Sequence, residues 1–231
     1  MNPEPQVPHW GRFERGSRGA FPAVFLHGFL GSSRDWETVI ESLAPRFHCL
    51  AFDLPGHGLT SPPGAAAGSA LEQTATELIA KLDEMRIARP GLIGYSLGGR
   101  IAQHLLLAAP ERFSGAVLVS TSPGLETEQQ RAARRALDDA RADLLERDGL
   151  EQFLGSWYDQ PLFASVKRHP SFAEHVRRRL GNDPRALAAA LRAFSPGRQQ
   201  FLLPLLDRVR CPVRVVCGAD DPVYCAIAAR L

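Results

Sequence analysis

Gly94-Tyr95-Ser96-Leu97-Gly98-Gly99 places a serine between glycines two positions away on either side, a spacing suited to nucleophilic chemistry. A sharp strand-to-helix turn has to lift the serine oxygen clear of the backbone. Glycines at those positions keep side chains from colliding with the adjoining strand and helix. Ser96 is the expected nucleophile, while the same residues would also serve as an ordinary Gly-rich turn with an N-capping serine. Such a serine needs donors for an oxyanion. The turn puts the backbone N–H of Leu97 at the positive end of the following helix. A second N–H, that of Phe29, is expected from the loop His27-Gly28-Phe29 after the strand Ala23-Val24-Phe25-Leu26. His27 reads as a packing residue that shapes this loop, because it precedes the serine and the chain order for this arrangement is serine, acid, histidine.

The acid is sought at the end of a late strand. Asp221 stands four residues after Val213-Arg214-Val215-Val216-Cys217, with Asp220 as its competitor. Asp-Asp-Pro is also helix-start chemistry, since an acidic side chain before a proline-led first turn satisfies free N–H groups. The two roles can coexist.

These residues need elements to hold them. Short apolar runs alternate with segments of helical period, the pattern of strands and crossover helices in a parallel α/β sheet. Strands are expected at Ala23–Leu26, Phe47–Phe52, Gly91–Gly94, Gly115–Ser120 and Val213–Cys217. Between the first two, Trp36, Val39, Ile40 and Leu43 fall on one helical face. A small-residue loop from Pro63 to Gly68 leads to a helix over Ser69–Arg86, and helices are expected at Ile101–Ala109 and from Ala226 to Leu231. From 126 to 206 the chain is helical in character, with 12 arginines and one lysine against 11 acidic residues. Most of that charge reads as solvated helix surface and i to i+4 pairing. The expected organisation is a core of 1–125 and 207–231 with a helical cap at 126–206.

Composition narrows the partners. The 231 residues carry 27 Lys and Arg against 25 Asp and Glu, without a long run of like charge, so nucleic acid and anionic membrane are not expected partners. No stretch has signal-peptide or membrane-spanning character, which reads as soluble and cytoplasmic. Cys49, Cys211, Cys217 and Cys225 lack CxxC or metal-ligand spacing and read as reduced core thiols, with no metal implied.

Leu-His-Gly-Phe-Leu-Gly-Ser-Ser-Arg-Asp-Trp (26 to 36), Phe-Asp-Leu-Pro-Gly-His-Gly (52 to 58) and Gly-Tyr-Ser-Leu-Gly-Gly-Arg (94 to 100) together resemble the α/β-hydrolase superfamily. The Phe-Leu-Gly after His-Gly, the arginine four residues past the serine, and Trp157-Tyr158-Asp159-Gln160-Pro161-Leu162-Phe163-Ala164-Ser165 resemble one family within it. This is the 2-succinyl-6-hydroxy-2,4-cyclohexadiene-1-carboxylate synthase (MenH) family of menaquinone biosynthesis. The similarity runs from about Val24 to Leu231 and includes Leu187 to Leu191, Ser195 and Gln199. It implies a cofactor-free lyase in which a serine activated by histidine abstracts a proton and pyruvate is eliminated from a cyclohexene bearing several carboxylates. It also implies that Arg100, Arg179 and one of Arg131, Arg134 or Arg135 bind this polycarboxylate, with Tyr95 and Trp157 lining the pocket. Guanidinium groups suit that task through bidentate contacts.

One feature departs from the pattern. The superfamily's histidine follows the acid in a later Gly-His or Asn-His segment, whereas all seven histidines here precede Asp221 and the sequence ends ten residues beyond it. The resemblance therefore implies a truncated chain whose final strand and covering helix are missing, with the strand at Val213 to Cys217 an exposed edge. Besides a fragment of an active synthase, a general serine hydrolase (an esterase or C–C bond hydrolase) and a non-catalytic binding relative fit the residues.

Overall fold

The computed structural model describes residues 9–64 and 69–231, so much of the expected Pro63 to Gly68 loop lies outside the described residues. Six strands form one sheet in the order β1-β3-β2-β4-β5-β6. They are β1 (Arg12–Arg15), β2 (Phe21–Leu26), β3 (Phe47–Phe52), β4 (Gly91–Tyr95), β5 (Gly115–Val119) and β6 (Val213–Val216). All neighbours run parallel except β1, which pairs antiparallel with β3. The near-continuous burial of β3 is what a parallel strand covered on both faces requires.

Strand β1 is an element that sequence reading did not anticipate. Its Arg-Phe-Glu-Arg sequence contains one apolar residue, Phe13, which is buried with Phe25, Ile40, Cys49 and Ala51. The charged neighbours suit an edge strand. At the opposite edge stands β6, where Val213 and Val216 are exposed as expected.

Helices α1 (Glu37–Leu43), α2 (Ala70–Glu84) and α3 (Leu97–Ala108) supply the crossovers. Trp36, Ile40 and Leu43 pack towards the sheet, but Val39 is exposed. The buried stripe follows 36, 40 and 43, and Val39 is displaced by about 100° from Ile40 around the helix. On α2, Leu71, Ala75, Leu78 and Leu82 form one buried stripe against α3.

The segment after β5 is helical: α4 (Glu128–Asp148), α5 (Leu150–Tyr158), α6 (Ala164–Lys167), α7 (Phe172–Arg179) and α8 (Pro184–Ala193). Thr127 and Gln130 form a reciprocal capping box that starts α4. Helix α4 lies along α8, and Ala142, Leu145, Phe153, Leu154, Leu187 and Leu191 make a separate apolar cluster that includes Leu30 of the β2 loop. Much of the expected charge pairing is present, including Arg192 with Asp143 and Glu146. Helix α9 runs over Pro222–Ala228, earlier than the expected Ala226 to Leu231. Pro222 is pre-set for the first helical position and Asp221 caps it. No helix among the described residues is long and apolar enough to cross a membrane.

Candidate active site

The β4-to-α3 turn holds Ser96 at φ 51° and ψ −108°, a backbone region that costs a non-glycine residue on the order of 1–3 kcal/mol. Its surroundings over-determine that conformation. The Ser96 N–H donates to Val119 O (2.9 Å), and its carbonyl accepts from the Thr121 hydroxyl (2.9 Å) and the Arg100 N–H (3.0 Å). The flanking glycines are required by close approach. A Cβ on Gly94 would come within 2.5 Å of Gly98 O, and one on Gly98 would collide with the carbonyls of Leu26 and His27.

The same closeness binds the turn to the β2 loop, because Gly98 N–H donates to His27 O at 3.0 Å. His27 shapes this loop as expected. Its Nε2 accepts from Leu54 N–H (2.9 Å), which leaves Nδ1 to carry the proton and donate to Gly28 O (2.7 Å). His57 is fixed in the same way, with Nε2 accepting from Leu30 N–H and Nδ1 donating to Pro55 O. Burial lowers the pKa of His27 and pushes that of His57 well down, so both are neutral braces. Among the described residues, the N–H groups of Phe29 and Leu97 have no intramolecular acceptor. Gly28 lies beside both Ser96 and Tyr95: a Cβ there would sit 3.5 Å from Ser96 Cβ and 2.8 Å from the Tyr95 ring.

Trp157 reaches this loop from the helical segment. Its ring centroid is 5.3 Å from that of Phe29 and 5.5 Å from that of Phe153, which it stacks on. Sequence reasoning missed the residues that hold Trp157. Arg141 lies over its ring at 5.4 Å and donates to Gln160 Oε1, while Gln160 Nε2 donates to Trp157 O. The available signal was spacing, since Arg134, Asp138 and Arg141 share one face of α4.

The expected binding arginines divide into distinct environments. Arg100 is buried, donating to Phe194 O (2.6 Å) and Gln199 Oε1 (3.1 Å), and burial lowers its pKa to about 10. Arg179 is held bidentately by Asp35, both contacts at 2.7 Å. Arg131 is committed to the start of α4, through Glu128, Leu125 O and Glu126 O, and Arg135 to Gly197 O and Glu128. Arg134 alone of those three keeps both terminal nitrogens without a partner among the described residues. Its Nε donates to the buried Asp138 (2.7 Å), and it is near enough to Arg100 to oppose that charge.

Asp221 Oδ1 accepts from Tyr224 N–H at 3.0 Å, which makes it the N-cap of α9, while Asp220 is exposed. No hydrogen bond among the described residues links Asp221 or the Ser96 hydroxyl to a histidine. His48 is bound to Glu14, His175 to Tyr158, and His169 to Ser171. His104, on α3, is buried beside Arg100, and burial lowers its pKa to about 4.

A strained serine at a strand-to-helix turn within a sheet of this order defines a class. The chain belongs to the α/β-hydrolase fold family, whose model matches residues 22–224, and within it to the 2-succinyl-6-hydroxy-2,4-cyclohexadiene-1-carboxylate synthase family. It is 38% identical over 199 residues to the synthase of that name from Serratia proteamaculans (strain 568), covering 86% of this chain and 76% of the relative. The Salmonella agona (strain SL483) synthase is 37% identical over 218 residues, covering 92% of this chain and 82% of the relative. The solved structure of MenH from S. aureus is similar at TM-score 0.86 and 33% identity, covering 96% of this chain and 84% of that one.

Proposed function

We propose that the site eliminates pyruvate from 2-succinyl-5-enolpyruvyl-6-hydroxy-3-cyclohexene-1-carboxylate, the lyase step of menaquinone biosynthesis, without a cofactor. The observation that carries this reading is the wall on the loop that neighbours Ser96: Trp157 lies against Phe29, with the Arg141 guanidinium over the Trp157 ring. Aromatic and guanidinium groups together fit a ring bearing several carboxylates.

In this reading a base takes the Ser96 hydroxyl proton, and Ser96 Oγ removes the ring proton next to the succinyl ketone. Negative charge develops on the ketone oxygen and is met by the N–H groups of Phe29 and Leu97, aligned before the reaction begins. As the electrons return, the ring double bond shifts and the bond to the enolpyruvyl oxygen breaks. The departing enolate takes up a proton at its methylene carbon to become pyruvate, and the ring is left as the conjugated diene. Arg134, whose terminal nitrogens have no partner among the described residues, binds a substrate carboxylate, and the buried Arg100 adds positive potential, whereas the charge of Arg179 is balanced by Asp35. Asp221 is the acid that orients the base of Ser96. That base is not one of the histidines paired elsewhere in the described structure.

The test is release of pyruvate from this substrate compared with release of nitrophenol from a p-nitrophenyl ester by the same preparation. Pyruvate release well above the ester rate is expected. Ester turnover without pyruvate would replace the lyase reading with that of a serine hydrolase.

A further inference from the structure

Two thiols meet beside the loop that carries Asp221. Cys217 directly follows β6 and Cys225 lies within α9. Both are half-buried free cysteines, and their Sγ atoms are 3.3 Å apart across eight positions of sequence. Cys225 Sγ also donates to Gly218 O at 3.4 Å. The expectation of core thiols fits Cys49, which is buried in the sheet, but not this pair. A disulfide requires an S–S distance of about 2.05 Å, so the sulfurs need to close by only about 1 Å.

We propose that Cys217 and Cys225 form a redox-active dithiol whose oxidation gives a reversible intrachain disulfide restraining the Asp221 loop. With a peroxide as oxidant, the Cys217 thiolate attacks one peroxide oxygen, the O–O bond breaks, and a sulfenic acid forms with release of water. Cys225 sulfur then attacks the sulfenic sulfur, the S–S bond forms, and the hydroxyl leaves with the thiol proton as a second water. Two thiols are oxidised and one peroxide is reduced to two waters. A dithiol reductant reverses the step by exchange. The contact with Cys217 raises the Cys225 pKa, which suits Cys225 to the second, resolving role. The ring so closed contains the hydrogen bonds from Asp221 N–H to Gly218 O (3.0 Å) and from Cys225 N–H to Asp221 O (2.9 Å). Any bearing on turnover rests on Asp221 being the acid; the disulfide itself does not.

The full chain is treated with hydrogen peroxide, denatured, alkylated with iodoacetamide and mapped by mass spectrometry, with amide exchange followed over 218–224. Expected are loss of alkylation at Cys217 and Cys225 only, a peptide linking them, recovery with dithiothreitol, and slower exchange in the oxidised loop. Cys225→Ser should lose the link and keep its melting temperature. Full alkylation of both cysteines after peroxide, links to Cys49 or Cys211, or unchanged exchange in a linked chain would each overturn the proposal. Pyruvate release is scored separately on the reduced chain: no turnover there counts against the lyase reading and leaves the dithiol standing, and turnover there without a link after peroxide counts against the dithiol alone.

Discussion

The serine turn and the Asp221 loop both follow parallel strands of one sheet, yet they are held by different means. Around Ser96, β5, the β2 loop and α3 press from three sides, and the strained backbone is bonded to Val119, Thr121 and Arg100. Around Asp221, the bonds given above run only to Gly218, Tyr224 and Cys225, beside the edge strand β6. A position fixed by packing leaves a specific mark on sequence. One fixed by local caps looks like any helix start.

The largest expected effect separates the two roles of Asp221. Asparagine caps a helix about as well as aspartate, so Asp221→Asn should leave the melting temperature unchanged while lowering kcat by about 10⁴-fold, the scale seen when such an acid loses its charge. Lost stability with unchanged turnover would reduce Asp221 to a cap.

Gly98→Ala tests the packing side of the comparison. The added methyl meets two backbone carbonyls that cannot step aside, and overpacking of this kind costs about 1–3 kcal/mol. Denaturant midpoints would show it, and a variant as stable as the parent would mean that the turn is far looser than its contacts imply.

The helix behind the serine also carries a pH signature. His104 has its folded pKa lowered from 6.5 to about 4, by burial first and Arg100 second. The unfolded chain therefore binds this proton more readily than the folded one. The stabilising difference is fully present above about pH 6.5 and is lost as pH falls towards 4, the loss by then amounting to about 3 kcal/mol. Unfolding curves for the parent and His104→Leu should differ in slope over that interval. Parallel curves would contradict the assignment. Smallest of all, Asp220→Ala should change stability by less than about 0.5 kcal/mol, because the side chain is exposed, and should leave turnover intact; a marked loss of turnover would move the acid role to Asp220.

This contrast also explains what could be read from sequence. Ser96, its glycines and the parallel strands were legible because close approach and burial restrict residue type at fixed spacing. Strand β1 was not, since an edge strand with Phe13 as its one buried side chain has no apolar run. The start of α9 was misplaced by four residues because Pro222 carries no helical periodicity, although it fits the first turn. Among the arginines, sequence could nominate Arg131, Arg134 and Arg135 but not choose. Their difference lies in partners such as Gly197 O, 62 positions from Arg135. Asp35, which neutralises Arg179 from 144 positions away, was equally invisible.

The most direct test of the account is pyruvate release from 2-succinyl-5-enolpyruvyl-6-hydroxy-3-cyclohexene-1-carboxylate by Ser96→Ala beside the parent chain, at saturating substrate and with matched circular dichroism. The account predicts a loss of about 10⁴-fold or more in kcat with the fold unchanged. Turnover within about tenfold of the parent would mean that the reaction does not pass through this serine.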